Sequence, residues 1–181
     1  MRGRILAVAL AVILTCGGCG QSQPKAPLDY AEGGFEAAVS GEMSGVEFEA
    51  RVVAAAPDAA GNIRDVSIEF FAPDTMAGVK MVRRQGVVSC ECGGVAFEAA
   101  SSAWLDAADL LCAAGRVTSV NKLPDSSRVV VGMEDGNRAY TLTVDAATRQ
   151  PISATLTSPR HVEVKVTGFK RVQSEECRVQ S

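Results

Sequence analysis

Six cysteines are the residues of this 181-residue chain best equipped for chemistry, and they fall into two groups. Cys16 and Cys19 stand near the N-terminus among small residues; Cys90, Cys92, Cys112 and Cys177 are spread through the body. A thiolate can act as a nucleophile, as a soft metal ligand or as half of a disulfide, and its surroundings decide which. Other candidates are sparse. Asp106 and Asp109 could be read as paired carboxylates for acid–base work, but at helical spacing near an N-terminus they are better placed as capping and dipole charges facing solvent. His161, the only histidine, opens an alternating run beside Glu163 and Lys165, where a solvated side chain is expected. Ser44, in Gly41-Glu42-Met43-Ser44-Gly45, sits one place off a nucleophile elbow and in a turn-like segment. No phosphate-binding loop, zinc-protease helix or dinucleotide fingerprint is present, so a non-enzymatic protein without a cofactor is expected. Lys80, Arg83 and Arg84 form the densest basic cluster, suited to anionic headgroups or to a solvated strand end. A net charge of -3 offers no basic face for nucleic acid.

The N-terminal cysteines are explained by what precedes them. Met1-Arg2-Gly3-Arg4 is basic, Ile5 to Leu14 is wholly apolar, and Thr15-Cys16-Gly17-Gly18-Cys19-Gly20 is built of small residues, which together make a secretory signal. The apolar run is about half of the ~20 residues that a membrane-crossing helix needs. The segment resembles the lipobox of bacterial lipoproteins, which implies a signal peptide over 1–18 and lipid on Cys19, with Cys16 as the alternative. Two acyl chains suffice for stable anchoring. Residues 19–29 then read as a polar, proline-bearing tether, 30–172 as one domain and 173–181 as a tail. The expected address is the cell envelope, on the extracytoplasmic side of a membrane.

From Phe35 the apolar residues recur with period two. Phe35-Ala37-Val39, Val46-Phe48-Ala50-Val52, Val66-Ile68-Phe70, Val129-Val131-Met133, Tyr140-Leu142-Val144, Ile152-Ala154-Leu156 and Val162-Val164-Val166 each give a strand one dry face and one wet face. Glu134-Asp135-Gly136-Asn137 between two such runs predicts a type I′ hairpin. About ten antiparallel strands in a meander are expected. One segment differs: Trp104, Leu105, Ala108, Leu111 and Cys112 fall at helical spacing, predicting an amphipathic helix over about 102–114, capped by Ser101 or Ser102 and closed by Gly115. It carries the only tryptophan and should plug the concave side of the sheet.

For the body cysteines, an even count in an exported chain favours disulfides, with three possible connectivities. Cys90 and Cys92 lie two apart on one strand face. A helix lying on the sheet would bring thiols together, so the preferred pairing joins Cys112 to Cys90 or Cys92 and the other strand cysteine to Cys177. Buried free thiols and a Cu(I) or Zn(II) site are the alternatives, C-x-C being a weaker metal signal than paired C-x-x-C motifs.

A curved antiparallel sheet or half-barrel with one helix across its hollow resembles the lipoprotein-carrier fold of the LolA and LolB proteins and the glycolipid-binding mycobacterial lipoproteins. The residues that carry the resemblance are Val66-Ser67-Ile68-Glu69-Phe70-Phe71-Ala72-Pro73, the helix from Trp104 to Cys112, and Tyr140 to Pro151. The last looks like the family's strand, D-x-x-T-G-x-P turn and strand, with Arg149 where glycine is usual. A second departure is the absence of a long amphipathic helix between Gly20 and Ala31. The resemblance implies a lipid, acyl chain or other hydrophobic ligand held between sheet and helix. The hollow would be lined by Phe48, Ile68, Phe70, Trp104, Leu105, Ala108, Leu111, Leu142, Val144, Leu156 and Val164. The alternative is a surface adaptor that docks an envelope partner, with the helix filling the hollow.

Overall fold

The computed structural model describes residues 26–57, 64–99 and 103–172. The signal peptide, Cys16 and Cys19, the candidate caps Ser101 and Ser102, and the tail with Cys177 lie outside the described residues.

Among the described residues eleven antiparallel strands form a single open sheet, against the about ten that the sequence suggests. Strands β1 (Gly34–Met43), β2 (Val46–Ala54), β3 (Val66–Ala72), β4 (Lys80–Arg84), β5 (Val87–Cys92) and β6 (Val95–Ala99) run as a meander to one edge. Helix α1 (Leu105–Leu111) then crosses to the other edge. From there β7 (Arg116–Lys122), β8 (Arg128–Asp135), β9 (Arg138–Asp145), β10 (Pro151–Ser158) and β11 (Val162–Val172) run back inward. β11 pairs with β1 at the centre, Gly34 opposite Val172 and Met43 opposite Val162.

The period-two runs form strands because each has a full set of apolar residues for one face. Phe35, Ala37, Val39, Phe48, Ala50, Val52, Ile68, Phe70, Val131, Leu142, Val144, Leu156, Val162 and Val164 are all buried in one core. α1 lies on that inner face and touches β2, β3, β9, β10 and β11. Bulges shift the register at Ala38/Val39 and between Pro151 and Ser153, which is why Val166 and Ile152 are only half-buried although their runs predict dry positions.

The two edges depart most from the alternation. In β6 the period is present but Val95 and Phe97 remain 65% and 55% exposed, at the sheet edge and outside the core. In β7 a register shift between Val117 and Ser119 breaks the period, and only Val117 and Val120 pack against the core. At the β8–β9 hairpin Gly136 alone takes a positive φ (60°), the pattern of a type II′ turn with glycine first rather than the expected type I′. Arg149 takes the conformation that the missing glycine would supply, φ 57°, and its N–H donates to Asp145 O. Asp145 Oδ1 accepts from the N–H groups of Thr148 and Ala147 and from the Thr148 hydroxyl, and these bonds hold its carboxyl below the usual range. The D-x-x-T turn therefore forms without its glycine.

Candidate functional site

The sheet–helix hollow is filled. α1 is shorter than its sequence pattern: only Leu105–Leu111 are helical, Trp104 occupies the cap position without a side-chain cap, and Ala113 leaves the helix at φ 52°, two residues before Gly115 at φ 102°. Of the eleven expected lining residues, ten are buried in the common core and Trp104 packs against it. At the N-terminal end of α1, Trp104 meets Phe70 and Phe48 edge-on at 5.1 and 5.9 Å, and Phe48 meets Phe70 at 5.9 Å. At the C-terminal end, a 3-10 turn (Asp29–Glu32) inserts Tyr30, whose hydroxyl donates to Leu111 O at 2.9 Å. Tyr30 also packs edge-on against Phe35 and Phe169. Burial pushes its phenol well above the usual range, so it stays a donor. This turn stands where the resemblance would put a long helix. Ala26 and Leu28, at the end of the expected tether, already pack against the core.

Asp106 and Asp109 do not face solvent. Asp109 accepts a bidentate pair from Arg83, Nη2 to Oδ1 at 2.6 Å and Nη1 to Oδ2 at 3.0 Å, with both side chains largely covered. Asp106 accepts from Arg138 at 3.1 Å and lies 3.2 Å from Arg160 Nε. Burial raises the Asp106 carboxyl against the opposing pull of the two arginines. The cap-and-dipole role is thus replaced by a clasp: Arg83 of β4, Arg138 of β9 and Arg160 of the β10–β11 connection converge on the two carboxylates of α1, Arg138 lying within 4.0 Å of Asp109 as well. The charges were visible in the sequence; their partners, brought in from distant strands, were not.

A cleft of about 750 Å³ lies at the C-terminal end of α1. Its wall includes Leu28, Ala31 and Glu32 from the N-terminal segment, and Pro57 and Arg64 from the β2–β3 connection. Cys112, Ala113 and Ala114 follow α1 into it, and Arg83, Asp109, Asp135 and Arg138 complete its polar side. None of the eleven expected lining residues is among them. A smaller depression of about 420 Å³ carries Glu42, Glu47, Glu49, Glu163 and Lys165. The basic cluster divides: Arg83 turns to α1, Lys80 pairs with Glu91 at 3.5 Å, and Arg84 stays exposed. His161 is exposed just ahead of β11, and Ser44 (φ 51°) turns the β1–β2 hairpin.

Cys90, Cys92 and Cys112 are free thiols, so the preferred bridge from Cys112 to β5 is not formed. Cys112 is buried under the end of α1 beside Arg64, whereas Cys90 is half-buried and Cys92 exposed on β5. Among the described residues no cluster could hold a metal ion. Burial pushes the Cys112 thiol up to about 11. With a maleimide at neutral pH, Cys92 should label first, Cys90 more slowly, and Cys112 only on unfolding; peptide mass spectrometry against time checks the order. Early labelling of Cys112 would show that the end of α1 opens readily.

No protein-family model matches the chain, and no curated protein matches it. Among solved structures it is similar to an uncharacterized conserved protein from Thermus thermophilus, with TM-score 0.51 and 20% identity over 81% of this chain and 86% of that one. Looser likenesses are to a LolA superfamily protein from Nitrosomonas europaea, TM-score 0.40 and 9% identity over 80% and 91% of the two chains, and to LprF from Mycobacterium bovis, TM-score 0.41 and 10% identity over 80% and 89%. At these identities the likeness is one of fold, and the described residues form the open antiparallel half-barrel with one α-helix in its hollow that the sequence pattern predicts.

Proposed function

We propose that the protein is a non-enzymatic envelope lipoprotein, anchored through Cys19, that takes up a lipid, an acyl chain or another hydrophobic ligand under α1. The observation that carries this reading is the covering of an extensive apolar inner face by one helix of seven residues, clasped by polar groups, with a cleft of about 750 Å³ at its end. Apolar contacts between α1 and the sheet would be exchanged for contacts with the ligand, so displacing the helix need not expose the core to water. Polar clasps suit a part that moves, since ion pairs can re-form after each opening.

The chain from Gly20 onward retains every described residue and serves as the test protein. Titrated with a fluorescent fatty acid, it should show saturable uptake and a change in emission of Trp104, the only tryptophan. Absence of saturable uptake, together with no copurifying lipid by mass spectrometry, would remove this reading. The anchor is tested separately in full-length protein: labelled palmitate should be incorporated by wild type and by Cys16→Ser but not by Cys19→Ser. The opposite pattern would move the anchor to Cys16.

A second reading, docking of a protein partner, is favoured by two features: α1 fills the hollow, and edge strand β6 presents exposed Val95 and Phe97 on an edge that no described strand pairs with.

A further inference from the structure

The cleft at the end of α1 contains three guanidinium groups, and two of them are matched. Arg83 is neutralised by Asp109, and Arg138 by Asp106 and Asp135. Arg64 has no carboxylate partner among the described residues. Its Nε donates to Ala55 O and its Nη2 to Gly33 O, and its guanidinium carbon lies 5.3 Å from the centre of the Phe35 ring. Two backbone carbonyls and a ring face fix the group in position without cancelling its charge.

The backbone that carries Arg64 is fixed as well. Arg83 Nε and Nη2 both donate to Arg64 O at 3.2 Å, so the residue that clasps α1 also sets the wall of the cleft. A guanidinium has five N–H donors; the two carbonyls account for two of them, and the Cys112 thiol lies against a third. The remaining donors belong to a half-buried cation on a cleft whose wall includes the apolar Leu28, Ala31 and Ala113, with Glu32 as the one carboxylate on it outside the Arg83 and Arg138 pairs. A fixed positive charge beside an apolar wall is complementary to a molecule with an anionic end and a hydrocarbon body.

We infer that this cleft binds the anionic headgroup of an amphiphile, a carboxylate or a phosphate monoester on an alkyl chain, with Arg64 as the anchoring cation and the chain directed toward α1. This rests on the hydrophobic-ligand reading above and adds the chemistry of the headgroup. The apolar body is interchangeable among ligands; the discrimination comes from the anion, which would replace water on the free donors of Arg64 with charge-assisted hydrogen bonds.

The experiment compares palmitic acid, hexadecyl phosphate and hexadecanol as competitors of a bound fluorescent fatty acid on the chain from Gly20 onward, with wild type, Arg64→Gln and Arg64→Lys. The acid, the phosphate or both should outcompete the alcohol by about tenfold or more on wild type, and the stronger of the two names the headgroup. Arg64→Gln should bring the anions down to the level of the alcohol while alcohol binding is unchanged. Arg64→Lys should keep part of the preference. Alcohol binding also reports whether each variant is folded, and if Arg64→Gln does not fold, Arg64→Lys and wild type decide. Equal competition by all three ligands on wild type, or an anion preference that survives Arg64→Gln, overturns the anchor and leaves the hydrophobic-ligand reading standing. No uptake of any of the three removes both.

Discussion

Phe70→Ala is expected to cost about 3–5 kcal/mol of unfolding free energy, among the largest losses available to a single substitution in this chain. Phe70 is fully buried on β3 and forms the centre of the aromatic trio with Phe48 and Trp104. Removing its ring loses the transfer free energy of the side chain and leaves a cavity between sheet and helix. Neither of its ring partners can fill that cavity without leaving its own packing. Urea unfolding followed by circular dichroism gives the magnitude; Trp104 emission gives the location, since water entering the cavity should shift it to the red. Phe70→Leu keeps most of the volume and should cost markedly less. A loss below about 1 kcal/mol for Phe70→Ala would mean that α1 settles into the gap and that the hollow is more deformable than its packing implies.

The second large effect belongs to the clasp. Asp109→Ala leaves the Arg83 guanidinium largely covered and without its carboxylate, and should cost about 3 kcal/mol. The side chains are 13% and 16% exposed, so solvent offers little compensation. The orphaned charge matters more than the lost attraction: replacing both members with apolar groups, Arg83→Met with Asp109→Leu, should recover much of the loss. Hydrogen exchange distinguishes a local from a global effect. If the clasp holds the helix down, amides of Leu105–Leu111 lose protection in Asp109→Ala before those of β1 and β11 do. Uniform loss across the sheet would show that α1 and the sheet open as one unit.

Much of this fold was legible from local pattern. Strands with one face fully covered, such as β1, β2, β8 and β9, could be read because burial imposes a strict alternation on them. The helix was visible because Trp104, Leu105, Ala108 and Leu111 break that period. What stayed hidden depends on distance across the fold. β7 carries few buried residues, so its sequence is under little pressure to alternate. Asp106 and Asp109 read as solvated because their arginines arrive from β4, β9 and the β10–β11 connection. The hollow read as a possible cavity because small residues at Ala50 and Ala154 leave space only until the volume of α1 is set against it. Arg64 gave no signal, since its significance is that, among the described residues, no carboxylate pairs with it. That Cys90, Cys92 and Cys112 stand as free thiols was hidden for a related reason: an even count says nothing about which thiols the fold brings together.

The pairing of β1 with β11 bears on how the protein comes to be made. All but one of the neighbours in the sheet are consecutive strands, whereas this central seam joins positions as far apart as Gly34 and Val172. A chain that is synthesised N-terminus first displays β1 with one flank bare until β11 has been made. Each half can begin its meander early, but the seam waits for the final strand, and slow, late closure is the kinetic signature of such long-range contacts. During that interval the apolar face of β1 is available to holding factors or to other nascent copies. The central strand, safest in the finished molecule, is thus the most vulnerable part of the unfinished one.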